Sequence, residues 1–262
     1  MIVEDALGNQ FDSDSRYRRI VSLVPSQTEY IINLIGDSTT YKVLGRTKFC
    51  IHPSYRVSDI TIVGGTKQIH INKIKALNPD IVICNKEENT QEIVKEIEPH
   101  FQVFTTEIIS IDSALDYMMR IAKLLDLADN GNKINTQIKQ AIIGYQPIEQ
   151  KKAIYLIWKN PYMAAGGDTF IDKMMYAAGF NNVLHDQMRY PSVTIDEIKA
   201  LRPNVIFLSS EPYPFKEEDA FEIGRFTHHA KTVFVDGEMF SWYGSRLAKS
   251  FAYFKQIHKR IE

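Results

Sequence analysis

A segment that occurs twice limits this chain more than any other feature. Residues 74–84 read IKALNPDIVIC and residues 198–208 read IKALRPNVIFL. Ile, Lys, Ala, Leu and Pro recur at the same places, the pairs Asn78/Arg202 and Asp80/Asn204 stay polar, and the remaining positions stay apolar. In each copy a short amphipathic helix must stop before its proline, because proline drives the preceding residue out of the α region. The apolar run that follows has the length and continuity of a strand buried on both faces. A helix feeding such a strand is the second half of a βαβ unit in a parallel sheet. The copies lie 124 residues apart, too far for a solenoid repeat. They mark equivalent points in two lobes, which a length of 262 residues accommodates.

The expected fold class is α/β, with two Rossmann-like lobes built on parallel sheets. Lobe one takes residues 1–108. A strand at 19–24 is stopped by Pro25, and Ser26 with Glu29 has capping-box spacing for a helix at 27–35 that Gly36 ends. Strands follow at 41–45 and 60–63, then the first copy, a charged helix at 87–98 and a strand at 102–105. Residues 109–148 form a helical connection, with Ala114, Leu115, Met118, Ile121, Ala122, Leu124 and Leu125 at helical spacing. It reads either as a brace spanning roughly 24 Å at about 1.5 Å per residue, or as two packing helices broken near residues 129–131. Lobe two, residues 149–262, opens with a strand at 152–158. A helix at 170–178 closed by Gly179, a strand at 182–184, a capping box of Thr194 and Glu197, a strand at 232–235 and a closing helix at 243–261 complete it.

A formal net charge of −1 and the lack of a basic stripe argue against a nucleic-acid partner. No apolar run approaches the ~18 residues of a membrane span. The first ten residues, MIVEDALGNQ, do not have the form of a signal peptide. The chain therefore works either in the cytosol or in the cell envelope after loss of a leader. Cys50 and Cys84 are expected to be free thiols.

In open parallel sheets, ligands bind at the carboxyl ends of the strands. The loops there, residues 158–162, 209–216 and 236–243, hold both tryptophans, Trp158 and Trp242, with Tyr162, Tyr213, Tyr243, Phe215 and Phe240. Strand-end loops are normally polar, so these rings are either a platform for a flat, largely apolar ligand or plugs that pack under their own loops. Lobe one offers Phe49, His52 and the polar residues 85–88. Catalysis has little support: G-x-S-x-G, P-loop, G-x-G-x-x-G and H-E-x-x-H are all missing. Cys50-Ile51-His52 lacks two further metal ligands, His228-His229 reads as a solvated helix end, and His185-Asp186 has no nucleophile beside it. Neither an enzyme activity nor a resident metal or cofactor is expected.

Five stretches then point to a family. RIVSLVPSQTEYIINLIG at 19–36, VGGT with INKIKALNPDIVI within 63–83, AAGGDTFIDKMMYAAGFNNV at 164–183, the second copy, and VDGEMFSWYGSRL at 235–247 occur in order. Together they resemble the solute-binding proteins of ABC importers for vitamin B12, iron-siderophores and haem, nearest the vitamin B12-binding branch. The resemblance covers nearly the whole chain. It implies two lobes joined by a rigid helix, a small-molecule ligand in the cleft between them, and a permease as partner; a monomer is expected.

Trp158, Tyr162, Tyr213, Phe215, Phe240, Trp242, Tyr243 and Phe49 would supply apolar faces to a cobalamin-like corrinoid. Arg46, Lys48, His52, Lys67, Glu211 and Glu238 would meet its polar groups. The resemblance also implies one acid per lobe that docks on permease arginines, at Asn72 and Asp196. Only Asp196, with Glu197 beside it, carries that charge. An iron-siderophore or haem is the alternative ligand, with Cys50, His52 and Lys48 as the donor cluster. A cytosolic corrinoid-related enzyme or chaperone is the alternative of another class.

Overall fold

The computed structural model describes residues 1–15, 17–146 and 149–262. The last two positions of the expected connection, 147 and 148, lie outside the described residues. The chain divides into two compact units. Unit 1 holds Met1–Ile108, Asp112–Lys139 and Tyr243–Arg246; unit 2 holds Ile109–Ile111, Gln140–Trp242 and Leu247–Glu262.

Unit 1 begins with an antiparallel hairpin of β1 (Ile2–Glu4) and β2 (Gln10–Asp12). Its parallel sheet contains β3 (Arg19–Ser22), β4 (Lys42–Thr47), β5 (Thr61–Gly64), β6 (Ile81–Asn85) and β7 (Gln102–Thr106), in the order β5-β4-β3-β6-β7. Sequence order therefore reverses around β3, which sets a topological switch at its carboxyl end. Its helices are α1 (Pro25–Ile35), α2 (Ser54–Val57), α3 (Ile71–Leu77), α4 (Gln91–Ile97), α5 (Ile111–Leu124) and α6 (Ala128–Ile143), the last running into unit 2. Val21, Leu23, Val63, Ile74, Val82, Cys84 and Val103 form one buried cluster, so the repeat's isoleucine and strand residues are core, as their pattern predicts.

Three local expectations change. Helix α1 starts at Pro25 with Val24 as an uncapped N-cap, so Ser26 is already helical; the side chain of Glu29 bonds Arg246 instead of closing a box. Proline at the first helical position costs no hydrogen bond, which places the helix start two residues earlier than the capping pattern. The connection holds two helices, separated at Asp126, whose φ of 55° is left-handed while Leu127 N–H bonds Ala122 O at 2.7 Å. Gly131 lies inside α6, where it packs so close to Ala122 that a Cβ would stand 2.5 Å from the Ala122 Cβ. Asn78 leaves the α region before its proline as expected, but into left-handed space (φ 44°), with its N–H on Lys75 O.

Unit 2 contains β8 (Lys151–Trp158), β9 (Tyr162–Ala164), β10 (Phe180–Asn182), β11 (Ser192–Val193), β12 (Val205–Ser209) and β13 (Lys231–Val235). The order is β11-β9-β8-β12-β13, with β10 along the start of β8. Strands β8, β12, β13 and β10 are parallel, whereas β9 and β11 add an antiparallel edge that the apolar runs did not announce. Helices are α7 (Phe170–Ala177), α8 (Ile195–Leu201), α9 (Glu217–Gly224), α10 (Glu238–Ser241) and α11 (Leu247–Ile261). The Thr194–Glu197 capping box forms in full: Glu197 N–H donates to Thr194 Oγ1, and Thr194 N–H to Glu197 Oε2.

Candidate functional site

At the carboxyl end of unit 2's sheet, β8 ends on Trp158, which is 40% exposed, and turns at Lys159, Asn160 and Pro161 into β9. The Trp158 ring stands edge-on to Tyr213 at 5.8 Å, and Tyr213 edge-on to Phe215 at 4.9 Å. Beneath them lies a charged knot. Lys159 Nζ donates to Asp219 Oδ1 at 2.6 Å and Glu222 Oε2 at 2.8 Å, and Tyr162 OH donates to Glu222 Oε1 at 2.9 Å. Lys216 N–H donates to Asp219 Oδ2 at 2.8 Å, fixing the start of α9. Asp219 and Glu222 acting on Lys159 raise its pKa. Burial opposes the ionisation of Asp219, yet the Lys159 ammonium and the Lys216 N–H outweigh it and hold the carboxyl below its ordinary value.

The loops after β12 and β13 meet at Glu211. Its Oε1 accepts from Ser241 Oγ at 2.7 Å and Trp242 Nε1 at 3.0 Å. Burial pushes the Glu211 carboxyl up, against those two donors and with the neighbouring Glu238. Gly237 is required at this crossing, since a Cβ would stand 2.5 Å from both Glu211 Cγ and Ser209 Oγ.

In unit 1 the loop after β4 carries Lys48 and Phe49, both exposed, with the ammonium 5.0 Å from the ring centroid. His52 is half-buried in the same loop, and Lys67 is exposed with Nζ on the Glu87 carbonyl. Tyr243, buried, accepts from Gln27 Nε2 at 3.2 Å, and burial raises its pKa.

Several expected contacts sit elsewhere. Phe240 is fully buried against Tyr155, Phe207 and Phe254, so it is a core residue. Arg46 is buried and donates to the Val57 and Thr47 carbonyls, pinning its own loop. Tyr162, Phe215, Trp242 and Tyr243 expose 9% or less of their surface, which leaves Trp158 and Phe49 as the exposed rings of the set and Tyr213 half-buried. Cys50 is wholly buried, its Sγ 3.1 Å from both Thr28 and Thr47 hydroxyls, and burial raises its pKa; Cys84 is buried too, and both thiols are free. The cluster of Cys50, His52 and Lys48 thus has no accessible thiolate. His185 pairs with Asp172, Nδ1 to Oδ2 3.1 Å, and not with its neighbour Asp186. The pair lines a cavity of ≈ 520 Å³ with Lys173, Tyr176, Phe180, Asn181 and Asn182, among which no serine, threonine or cysteine nucleophile occurs. Asn72, Asp196 and Glu197 are exposed in the first turns of α3 and α8. Lys159, Asp219 and Glu222 escaped sequence reasoning because some 60 positions separate Lys159 from the other two.

The family model described as periplasmic binding protein matches residues 20–228, and the chain belongs to that family. It is a solute-binding protein of the ABC-import type and not an enzyme; the family works outside the cytoplasm. The vitamin B12-binding protein of Vibrio vulnificus (strain CMCP6) is 23% identical over 73% of this chain and 71% of its own length. An ABC transporter substrate-binding lipoprotein of Bacillus subtilis (strain 168), YvrC, is 24% identical over 94% of this chain and 81% of its own. Among solved structures, the periplasmic heme-binding protein RhuT of Roseiflexus sp. RS-1 superposes with a TM-score of 0.80 at 18% identity, covering 94% of this chain and 100% of that one. The periplasmic vitamin B12-binding protein BtuF of Vibrio cholerae gives 0.78 at 18%, covering 94% and 98%. These two likenesses establish the fold.

Proposed function

We propose that this chain captures a cobalamin-like corrinoid with its strand-end loops and delivers it to an ABC permease. The observation that carries the choice of ligand is the sign of charge around Trp158 and Tyr213. Around the loop that carries Tyr213, Glu217 and Glu218 are exposed at the start of α9 and Asp236 and Glu238 are half-buried after β13, against the exposed Lys216, while Lys159 is taken up by Asp219 and Glu222. A corrinoid presents a flat apolar ring edged by neutral amides, whose N–H groups suit carboxylate acceptors. Haem propionates and citrate bring carboxylates of their own, and like charges at close range cost binding free energy. Vitamin B12-binding relatives support this reading, and an Fe(3+)-citrate-binding one keeps an iron complex as the second. A haem iron would further call for an axial donor, and Cys50, one member of the expected cluster, is wholly buried.

Asp196 and Glu197 on α8, with Asn72 on α3, are the residues we assign to permease docking. Titrating the protein with cyanocobalamin while following tryptophan emission and the corrin spectrum tests the ligand. Saturable quenching at micromolar protein is expected, with hemin and ferric citrate weaker. A flat corrinoid titration beside a saturating hemin one would replace the ligand and keep the family.

A further inference from the structure

We propose that Lys159 is a positioning residue, which holds the exposed Trp158 and the half-buried Tyr213 in the geometry that meets the ligand. The inference rests on the reading of those two rings as the ligand platform.

The geometry is specific to this corner of unit 2. Lys159 follows Trp158 directly, and its side chain is only 15% exposed, folded against Asp219, whose side chain is 1% exposed. From Asp219, contacts run to both ends of the neighbouring loop: Tyr213 OH lies 3.5 Å from Oδ2, and Lys216 N–H 2.8 Å from it. From Glu222, the second partner of Lys159, a bond returns to Tyr162 on the strand that leaves the turn. A single ammonium therefore ties the β8–β9 turn to the loop that presents Tyr213 and to helix α9. Asn160, in the same turn, has a φ of 66°, left-handed space that asparagine tolerates.

The energetic sense follows. Asp219 is buried and must be paired, which accounts for one of the two bonds of Lys159. The second bond, to the half-buried Glu222, is not needed for that purpose and closes the ring of contacts through Tyr162. Trp158 is left open to solvent yet held from one edge by Tyr213. A large aromatic surface fixed before the ligand arrives does not lose its freedom on binding, so affinity gains from the fixation without any ligand contact from Lys159 itself.

The test uses the full chain labelled with 5-fluorotryptophan. Trp158 and Trp242 are its only tryptophans, so two fluorine resonances are expected, assigned by Trp158→Phe. Lys159→Met should shift and broaden the Trp158 resonance and leave Trp242 unmoved. It should also weaken cyanocobalamin binding about tenfold, the loss expected when one or two rings must be ordered on binding. Lys159→Arg, whose guanidinium can reach both carboxylates, should restore the resonance and most of the affinity. An unmoved Trp158 resonance in a folded Lys159→Met protein would overturn the proposal, as would unchanged affinity where Trp158→Ala lowers it. Should the wild type bind no corrinoid, the ligand reading fails while the fluorine spectrum of the ligand-free protein still decides the role of Lys159.

Discussion

The two copies of the IKAL-x-P segment do the same backbone work with different chemistry. In unit 1, Asp80 N–H donates to Arg19 O at 2.7 Å, and its carboxylate accepts from the Arg18 and Arg19 amides at 2.8 Å. In unit 2, Asn204 N–H donates to Lys152 O at 2.8 Å, and its amide oxygen accepts from Lys152 N–H at 2.9 Å. Each polar residue after the proline thus aligns the incoming strand with the first strand of its sheet, β6 with β3 and β12 with β8. The duplication conserves a hydrogen-bonding task, and either an acid or an amide performs it. The copies part at the start of the helix. Helix α8 is capped by Thr194 and carries Asp196 and Glu197, whereas α3 follows His70, which provides no side-chain cap, and presents the neutral Asn72. What faces the core is shared; what faces solvent has diverged.

The largest effect should come from the first helix of each unit, where both bury a carboxylate. Glu29 on α1 is held by Arg246 through two bonds of 2.8 and 3.0 Å, with both side chains 6% exposed or less. Arg246→Met should destabilise unit 1 by about 3–5 kcal/mol, because it strands a buried charge. Asp172 on α7 pairs with His185, itself 63% exposed, and keeps Lys173 and Asn182 as further donors. His185→Ala should therefore cost under about 1 kcal/mol. Denaturant melts of the two variants measure the contrast, and equal losses would contradict it.

Capping gives the next difference. Thr194→Ala removes the acceptor for Glu197 N–H and should cost about 1 kcal/mol, while His70→Ala should be nearly neutral. Hydrogen exchange at the starts of α8 and α3 would show it. Smaller still is the left-handed residue before each proline. Arg202 has a φ of 47°, where the Cβ crowds the following carbonyl oxygen, so Arg202→Gly should stabilise by roughly 0.5–1 kcal/mol. Asn78→Gly should gain less, because asparagine tolerates this region.

The last contrast is with pH. Thr194, through its backbone N–H and then its hydroxyl, holds the Glu197 carboxyl below the ordinary glutamate value. A carboxyl whose pKa is lower folded than unfolded stabilises above the unfolded value, and that contribution is lost as pH falls through the folded one. Acidification should therefore fray the start of α8 and leave that of α3 unaffected. A carboxyl titration of Glu197 by NMR with a midpoint at the ordinary value would contradict this.

Much of the fold was legible because buried parallel strands are continuous apolar runs, and those runs are in the sequence. The repeat, β3, β6, β8, β12 and β13 were all found that way, with ends displaced by a residue or two. The edge strands β9 and β11 are short and lack the pattern, so nothing announced them. Ser26 and Glu29 match a capping box, but Pro25 takes the first helical position and Arg246 takes Glu29, a competition visible only in three dimensions. The candidate site can be read from the sequence at the level of loops and not of side chains. Aromatic residues at strand ends were readable; which of them are sealed in, like Phe240, and which stay open, like Trp158, depends on packing between distant segments. Lys159 gives no signal in the sequence, because Asp219 and Glu222 reach it only in the fold.

The central claim is that the open ring of Trp158 meets a corrinoid. Its most direct measurement compares equilibrium binding of cyanocobalamin to the wild type and to Trp158→Ala. Saturable binding in the wild type, weakened at least about tenfold in the variant, is the expected result for a ring of this size at the contact. Identical affinities in the two proteins, or no binding by either, would contradict it.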